Sequence, residues 1–293
     1  MPIVQISGFL LSLLGCAELP TDRQSLEVIS IDQTGRLVVV RMTQGDTGWL
    51  KGTGHFKATI WTPDQHALEF WDHAPKSHII WDEDQISIGP RHTLRMSLDS
   101  DTWQLDSHFD EWNLRMMGTC KVSNIGWQQS SKWNTQVICP SMDNTGWIQS
   151  HDQSQLLKGS SITLFHEGSD VVNKSHWFIS TTPTLQLMVE QTPFGLYGYM
   201  KTLNDDGVWE SIPVQTINKS NEQWQINTES GSINIDNIES IGIEDPYQHI
   251  ASWERWMTQP LYQLNHIQWQ KGHGEWQEQH FVVVMREQGS GSE

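Results

Sequence analysis

The chain has 293 residues and a mass of 33.7 kDa, enough for one large domain or two of ordinary size. Hydrophobic residues make up 37% and charged residues 18%, which excludes a disordered polar chain and a solenoid of charged helices. Eighteen Lys and Arg against 35 Asp and Glu leave a net charge of −17, a field that repels phosphate backbones and excludes nucleic acid as a general partner.

The first feature is the apolar run Ile3 to Ala17. It is too short to span a bilayer as a helix but has the length of a signal-peptide core. It ends in Leu13-Leu14-Gly15-Cys16, which resembles a bacterial lipobox, with Cys16 as the lipid anchor. That reading makes 1–24 a signal and tether, gives the chain a membrane as partner through the anchor, and predicts an extracytoplasmic protein, periplasmic or held at the outer membrane. No Lys or Arg precedes the run, and an ordinary buried N-terminal segment is the other reading.

From residue 26 onward, short alternating runs rich in β-branched and aromatic residues predict strands over Leu26–Ile31, Arg36–Met42, His55–Trp61, Ala67–Trp71, His78–Trp81, Thr93–Leu98 and Thr102–Ser107. Turn clusters such as Asp32-Gln33-Thr34-Gly35 separate them, the pattern of an antiparallel meander. Two further runs, Asn113–Val122 and Trp133–Cys139, carry Cys120 and Cys139, either as a disulfide or as two buried thiols. Ser, Gln, Asn and Gly cluster between Asp143 and Gly159, and this shift places a boundary at 150/151. Strands then resume over Ser161–His166, His176–Thr181, Thr184–Glu190, Leu196–Thr202, Val208–Gln215, Gln223–Thr228, Ser232–Ile235 and Gln277–Arg286. Helix signals are confined to Ser252–Met257 and a turn near Ser150–Leu157. The expectation is an all-β chain of two consecutive antiparallel barrels or sandwiches, 25–150 and 151–288, with 289–293 a Gly/Ser tail.

Sixteen Trp against 4 Tyr and 8 Phe point to deep β cores or to aromatic-walled cavities, and both readings stand. Phe70-Trp71-Asp72-His73, with His78 and Trp81, is the densest mixture of aromatic and titratable groups. Alternation sends Phe70 and Asp72 to one face and Trp71 and His73 to the other. An inward Asp72 in an apolar cavity would have its pKa raised and could donate a proton, with Trp71 and Trp81 as ligand contacts; a strand end beside a solvated turn is the bland alternative. His166, Glu167, Asp170 and His176 form a second set, an acid/base group at a barrel mouth or ordinary surface residues, without the spacing of a metal motif. No metal is assigned. Gly52-Thr53-Gly54 is too short for a dinucleotide loop and no serine elbow is present, so no cofactor is expected.

In the second half, His176-Trp177-Phe178, then Gly198-Tyr199-Met200-Lys201 running into Asn204-Asp205-Asp206-Gly207, then Ser252-Trp253-Glu254-Arg255-Trp256 and Pro260, resembles the two-domain lipocalin-like family that includes bacterial hydroxyneurosporene synthases, the carotenoid hydratases. Where that family tends to carry Tyr-x-Asp-His, this chain has Phe165-His166-Glu167-Gly168-Ser169-Asp170. The resemblance implies two lipocalin-like barrels and an apolar or amphipathic, terpenoid- or lipid-like small molecule as partner. Hydration, isomerisation or cyclisation would be the chemistry. His166 and Glu167 stand beside Asp72 as catalytic candidates; Asp170, His176, Trp177 and Tyr199 are candidate ligand contacts. A non-enzymatic carbohydrate- or partner-binding protein is the competing class, because exposed Trp rings also stack on sugars.

Overall fold

The computed structural model describes residues 23–32, 34–45, 52–62, 67–82, 84–97, 101–120, 125–130, 133–139, 143–150, 154–168, 175–220, 223–244 and 266–289. Cys16, Asp170 and the stretch Ser252–Met257 lie outside them. Within them the chain is all-β: β1 (Arg23–Asp32), β2 (Leu37–Gly45), β3 (Thr53–Trp61), β4 (Ala67–Pro75), β5 (Ile79–Trp81), β6 (Gln85–Ile88), β7 (His92–Ser97), β8 (Thr102–His108), β9 (Trp112–Thr119), β10 (Ile125–Ser130), β11 (Trp133–Cys139), β12 (Asn144–Ser150), β13 (Ser154–Gly168), β14 (Ser175–Thr181), β15 (Leu185–Thr192), β16 (Gly195–Leu203), β17 (Trp209–Ile212), β18 (Val214–Ser220), β19 (Gln223–Thr228), β20 (Gly231–Glu244), β21 (His266–Trp276) and β22 (Gln279–Gly289).

Two antiparallel sheets curl into nearly closed, lipocalin-like barrels. The first runs β4-β3-β2-β1-β13-β12-β9-β8-β7-β6-β5; the second runs β17-β16-β15-β14-β22-β21-β20-β19-β18. The first sheet forks at β13, whose early residues pair with β12 and whose later ones pair with β11. Cys120, just after β9, and Cys139, on β11, have Cα atoms 5.3 Å apart and are bonded as a disulfide that ties the two branches together.

Alternation explains how one strand serves two cores. On β2, Val38, Val40 and Met42 face the interior of the first barrel, while Leu37 and Val39 join a cluster between the barrels. A run such as Leu37-Val38-Val39-Val40 is apolar throughout because both of its faces are covered. The interior of the second barrel is a separate cluster around Phe178, Leu187, Trp224 and Val283. The cluster between the barrels draws Trp61 and Ile162 from the first sheet and Trp177, Met188, Tyr199 and Trp269 from the second.

Three sequence expectations need correction. The chain changes sheets between Gly168 and Ser175, not at 150/151: β12 and β13 form a hairpin inside the first sheet, so Ser150–Leu157 ends one strand and begins the next. A Cβ on Gly159 would strike the Ile31 carbonyl oxygen, so the glycines of this stretch mark close strand approach, not a linker. Val208–Gln215 divides at Pro213, which has no N–H for a ladder, into β17 and β18. Gln277 and Glu278 both have positive φ (46° and 67°) and make the β21–β22 turn, so the last strand begins at Gln279.

Candidate functional site

Two lateral rows of side chains face each other between the barrels. On the first sheet the register sets Lys57 opposite Arg41 and Arg41 opposite Glu27, across β3, β2 and β1. On the second, Trp177 stands opposite Arg286 and Arg286 opposite Trp269, across β14, β22 and β21. Each charged residue occupies an outward position of a strand that would meet solvent if its barrel stood alone.

Glu27 is 1% exposed and bridges the rows. One carboxylate oxygen accepts from Arg41 at 2.6 Å and the other from Arg286 at 2.8 Å. Arg41 also donates to Glu244 at 2.8 Å, and Lys57 lies 3.1 Å from the same carboxylate. His166 Nδ1 is 3.0 Å from Thr135 Oγ1, and its Nε2 faces Glu27 at 3.5 Å. Tryptophans frame the cluster: the Arg286 guanidinium lies 4.5 Å from the Trp177 ring centre and 5.8 Å from that of Trp269, and His166 meets Trp177 edge-on at 5.5 Å.

Burial alone would push the Glu27 carboxyl up, yet Arg41, Arg286 and His166 together hold it well below the usual range. Glu244 behaves the same way, with Arg41 and Lys57 overcoming burial. His166 is pushed down, by burial first, against the opposing pull of Glu27, so the imidazole is neutral near pH 7. The cluster thus combines ionised carboxylates, fixed cations and a neutral imidazole, with Glu27 shut away from water and Arg41 and Lys57 at its partly exposed side. Arg286 Nε is buried without a hydrogen-bond acceptor among the described residues. Such networks contribute little net stability compared with apolar packing of the same volume.

The structure brings His166 and Trp177 together here; Tyr199 is buried in the apolar cluster that includes Trp177, and burial raises its phenol pKa. Glu167 is not with them. As the next residue on β13 it takes the opposite face, is exposed, and accepts from Gln24 Nε2 at 2.9 Å. His176 lies on the other face from Trp177, 3.3 Å from Glu287 and with its ring 5.0 Å from that of Trp224. These residues line a crevice with Phe178 and Met285 that also touches Trp177 and Arg286 and is too tight to admit a water. Trp71 is 37% exposed and lies between His73 and His55, at ring distances of 5.1 and 6.0 Å; Trp81 is half-buried against the first-barrel core.

Asp72 reaches the buried His92 while its side chain stays 36% exposed, and its environment runs against a proton donor. Burial pushes its carboxyl up less than hydrogen bonds from His92 and the His73 N–H pull it down, so it stays ionised. Its partner His92, 3.1 Å away, was not apparent from sequence, and neither were Glu27, Arg41, Lys57, Glu244 and Arg286. A signal existed: Val38-Val39-Val40-Arg41 and Val283-Val284-Met285-Arg286 each end a run covered on both faces with one charge.

No protein-family model and no curated protein sequence matches the chain. Among solved structures it is similar to a candidate AttH from Nitrosomonas europaea, with a TM-score of 0.61 and 8% identity over 93% of each chain. It is also similar to CghA, with a TM-score of 0.62 and 8% identity over 94% of this chain and 90% of that one, and to CghA crystallised with Sch210972, with a TM-score of 0.62 and 7% identity. At such identities the likeness is one of fold, the paired lipocalin-like barrels.

Proposed function

We propose that the chain binds an apolar or amphipathic small molecule between its two barrels, and that the ligand carries a carbonyl or anionic oxygen. The observation behind this reading is Arg286, held between Trp177 and Trp269 with its Nε lacking an acceptor among the described residues. A buried donor without an acceptor is costly, and a ligand oxygen would remove that cost. A protein of the same fold, CghA, has been crystallised with Sch210972, which supports a binding role for this fold.

The chemistry we propose is isomerisation, cyclisation or hydration of the bound molecule, of the kind the carotenoid-hydratase resemblance implies. Arg286, Arg41 and Lys57 would stabilise negative charge developing on the ligand oxygen, and neutral His166 would accept or return a proton. The competing sugar-stacking reading calls for a row of exposed Trp rings. Among the described residues Trp61, Trp103, Trp177, Trp224, Trp269 and Trp276 are buried, which favours the small-molecule reading. We further propose that Cys16 is lipid-anchored, which would place this binding outside the cytoplasm.

The test is fluorescence titration with cis-parinaric acid, a conjugated chain with a carboxylate. Saturable binding that weakens at least about tenfold in Arg286→Lys, where the charge stays but Nε is lost, supports the site; that ratio corresponds to roughly 1.4 kcal/mol. Equal affinity in both proteins, or none in either, removes it.

A further inference from the structure

The first barrel closes along the free edge of β4, and Asp72 makes a polar bond across that seam. The backbone ladder of β4 is with β3. On its other side, closure is made by inward side chains. Phe70 stacks on Phe109 at 4.5 Å and lies 6.1 Å from Trp112, both near the β8–β9 turn. Ala74 packs against Gly89 in the β6–β7 turn. Between them, Asp72 reaches His92 Nε2 on β7 at 3.1 Å. The apolar contacts do not respond to pH, whereas this bond joins two titratable groups.

His92 is wholly shut away from water. Its ring stacks on Phe56 at 4.1 Å and lies 4.9 Å from Phe109, and its Nδ1 is 2.5 Å from the buried Ser107 Oγ. With Asp72 ionised, Nε2–H donates to Asp72 and Nδ1 accepts from Ser107, so the chain runs across three strands that are not all ladder neighbours. We propose that the β4 seam is a gate into the first barrel and that Asp72–His92–Ser107 is its latch, closed at neutral pH and released by mild acid.

The sign follows from which form hydrates the imidazole. In the closed form burial, the largest influence, holds His92 below the ordinary imidazole value, with Arg91 and His108 adding like charge and Asp72 opposing them. Arg91 is itself paired with Asp110 at 3.1 Å, and β3 presents only the uncharged Phe56. Opening exposes His92 to water, returns it toward the ordinary value, and lets the open form take up a proton. The closed form therefore keeps its full advantage above the ordinary imidazole value and loses it as pH falls from there. Asp72, held low in the closed form, acts in the same direction further down, below the usual carboxylate range.

Hydrogen exchange of the β4 amides that bond to β3, corrected for intrinsic rates and read by mass spectrometry from pH 7.5 to 5, tests the gate, with β19 as internal control. Protection of β4 should fall by up to about tenfold for each unit separating the open and closed titrations, while β19 stays level. The step should vanish in His92→Gln; in Asp72→Asn, where the charge that opposes the shift of His92 is gone, it should persist from a lower starting protection. Ser107→Ala keeps both titrating groups, and it should retain the step from a lower starting protection confined to β4. A flat β4 profile, the same step surviving in His92→Gln, or equal losses in β19 would overturn the proposal.

Discussion

Glu27→Gln is the sharpest perturbation of the contact between the barrels. The substitution keeps the shape of the side chain but sets an amide NH₂ against a guanidinium, donor facing donor. Arg41 retains Glu244 at 2.8 Å, whereas Arg286 is left with Gln288 at 3.5 Å, so the damage falls on the residue that joins the second barrel to the first. Removing one partner from a buried ion pair typically costs about 3–5 kcal/mol, and Glu27 serves two. Chemical denaturation followed by Trp fluorescence at pH 7 should show a loss in that range. Arg286→Met alone leaves Glu27 with Arg41. The double variant should therefore lose less than the sum of the singles, by about 0.5–3 kcal/mol. Because the folded-state pKa of Glu27 is lowered, this coupling is fully present above the ordinary glutamate value and fades as pH falls below it. Additive singles at pH 7, or a Glu27→Gln cost below about 1 kcal/mol, would refute the view that this carboxylate holds the barrels together.

Thiol titration of the unfolded, unreduced protein should leave Cys120 and Cys139 unreactive, and reduction should lower stability by about 2–4 kcal/mol by freeing the forked branches of the first sheet; two reactive thiols would remove the crosslink. Gly242→Ala should destabilise by about 1–3 kcal/mol, because the added Cβ meets the indole of Trp61 across the two barrels, and an unchanged denaturation midpoint would show that this face yields freely. Cys16→Ser should move the protein out of the membrane fraction in its native host, and unchanged fractionation would dispose of the anchor.

Much of the fold was legible because strand alternation is local. Trp103-Gln104-Leu105-Asp106 shows its two faces within four residues, and β8 forms there with Trp103 and Leu105 inside and Gln104 and Asp106 outside. The barrel boundary was not legible, because the glycines of β12 and β13 look like linker composition when they answer to close strand contact. The inward direction of Asp72 followed from Phe70, but its ionisation depended on His92, twenty residues away. The cluster between the barrels was the least visible. Glu27 and Arg286 are 259 residues apart, and each alone reads as a surface charge on a strand. Only the packing of one barrel against the other turns those outward positions into an interior.

Native mass spectrometry of the protein recovered from its own host tests the binding claim most directly. One small apolar or amphipathic molecule should be retained per chain, released on unfolding and lost in Arg286→Lys. A bare protein that also fails to retain added cis-parinaric acid would contradict it.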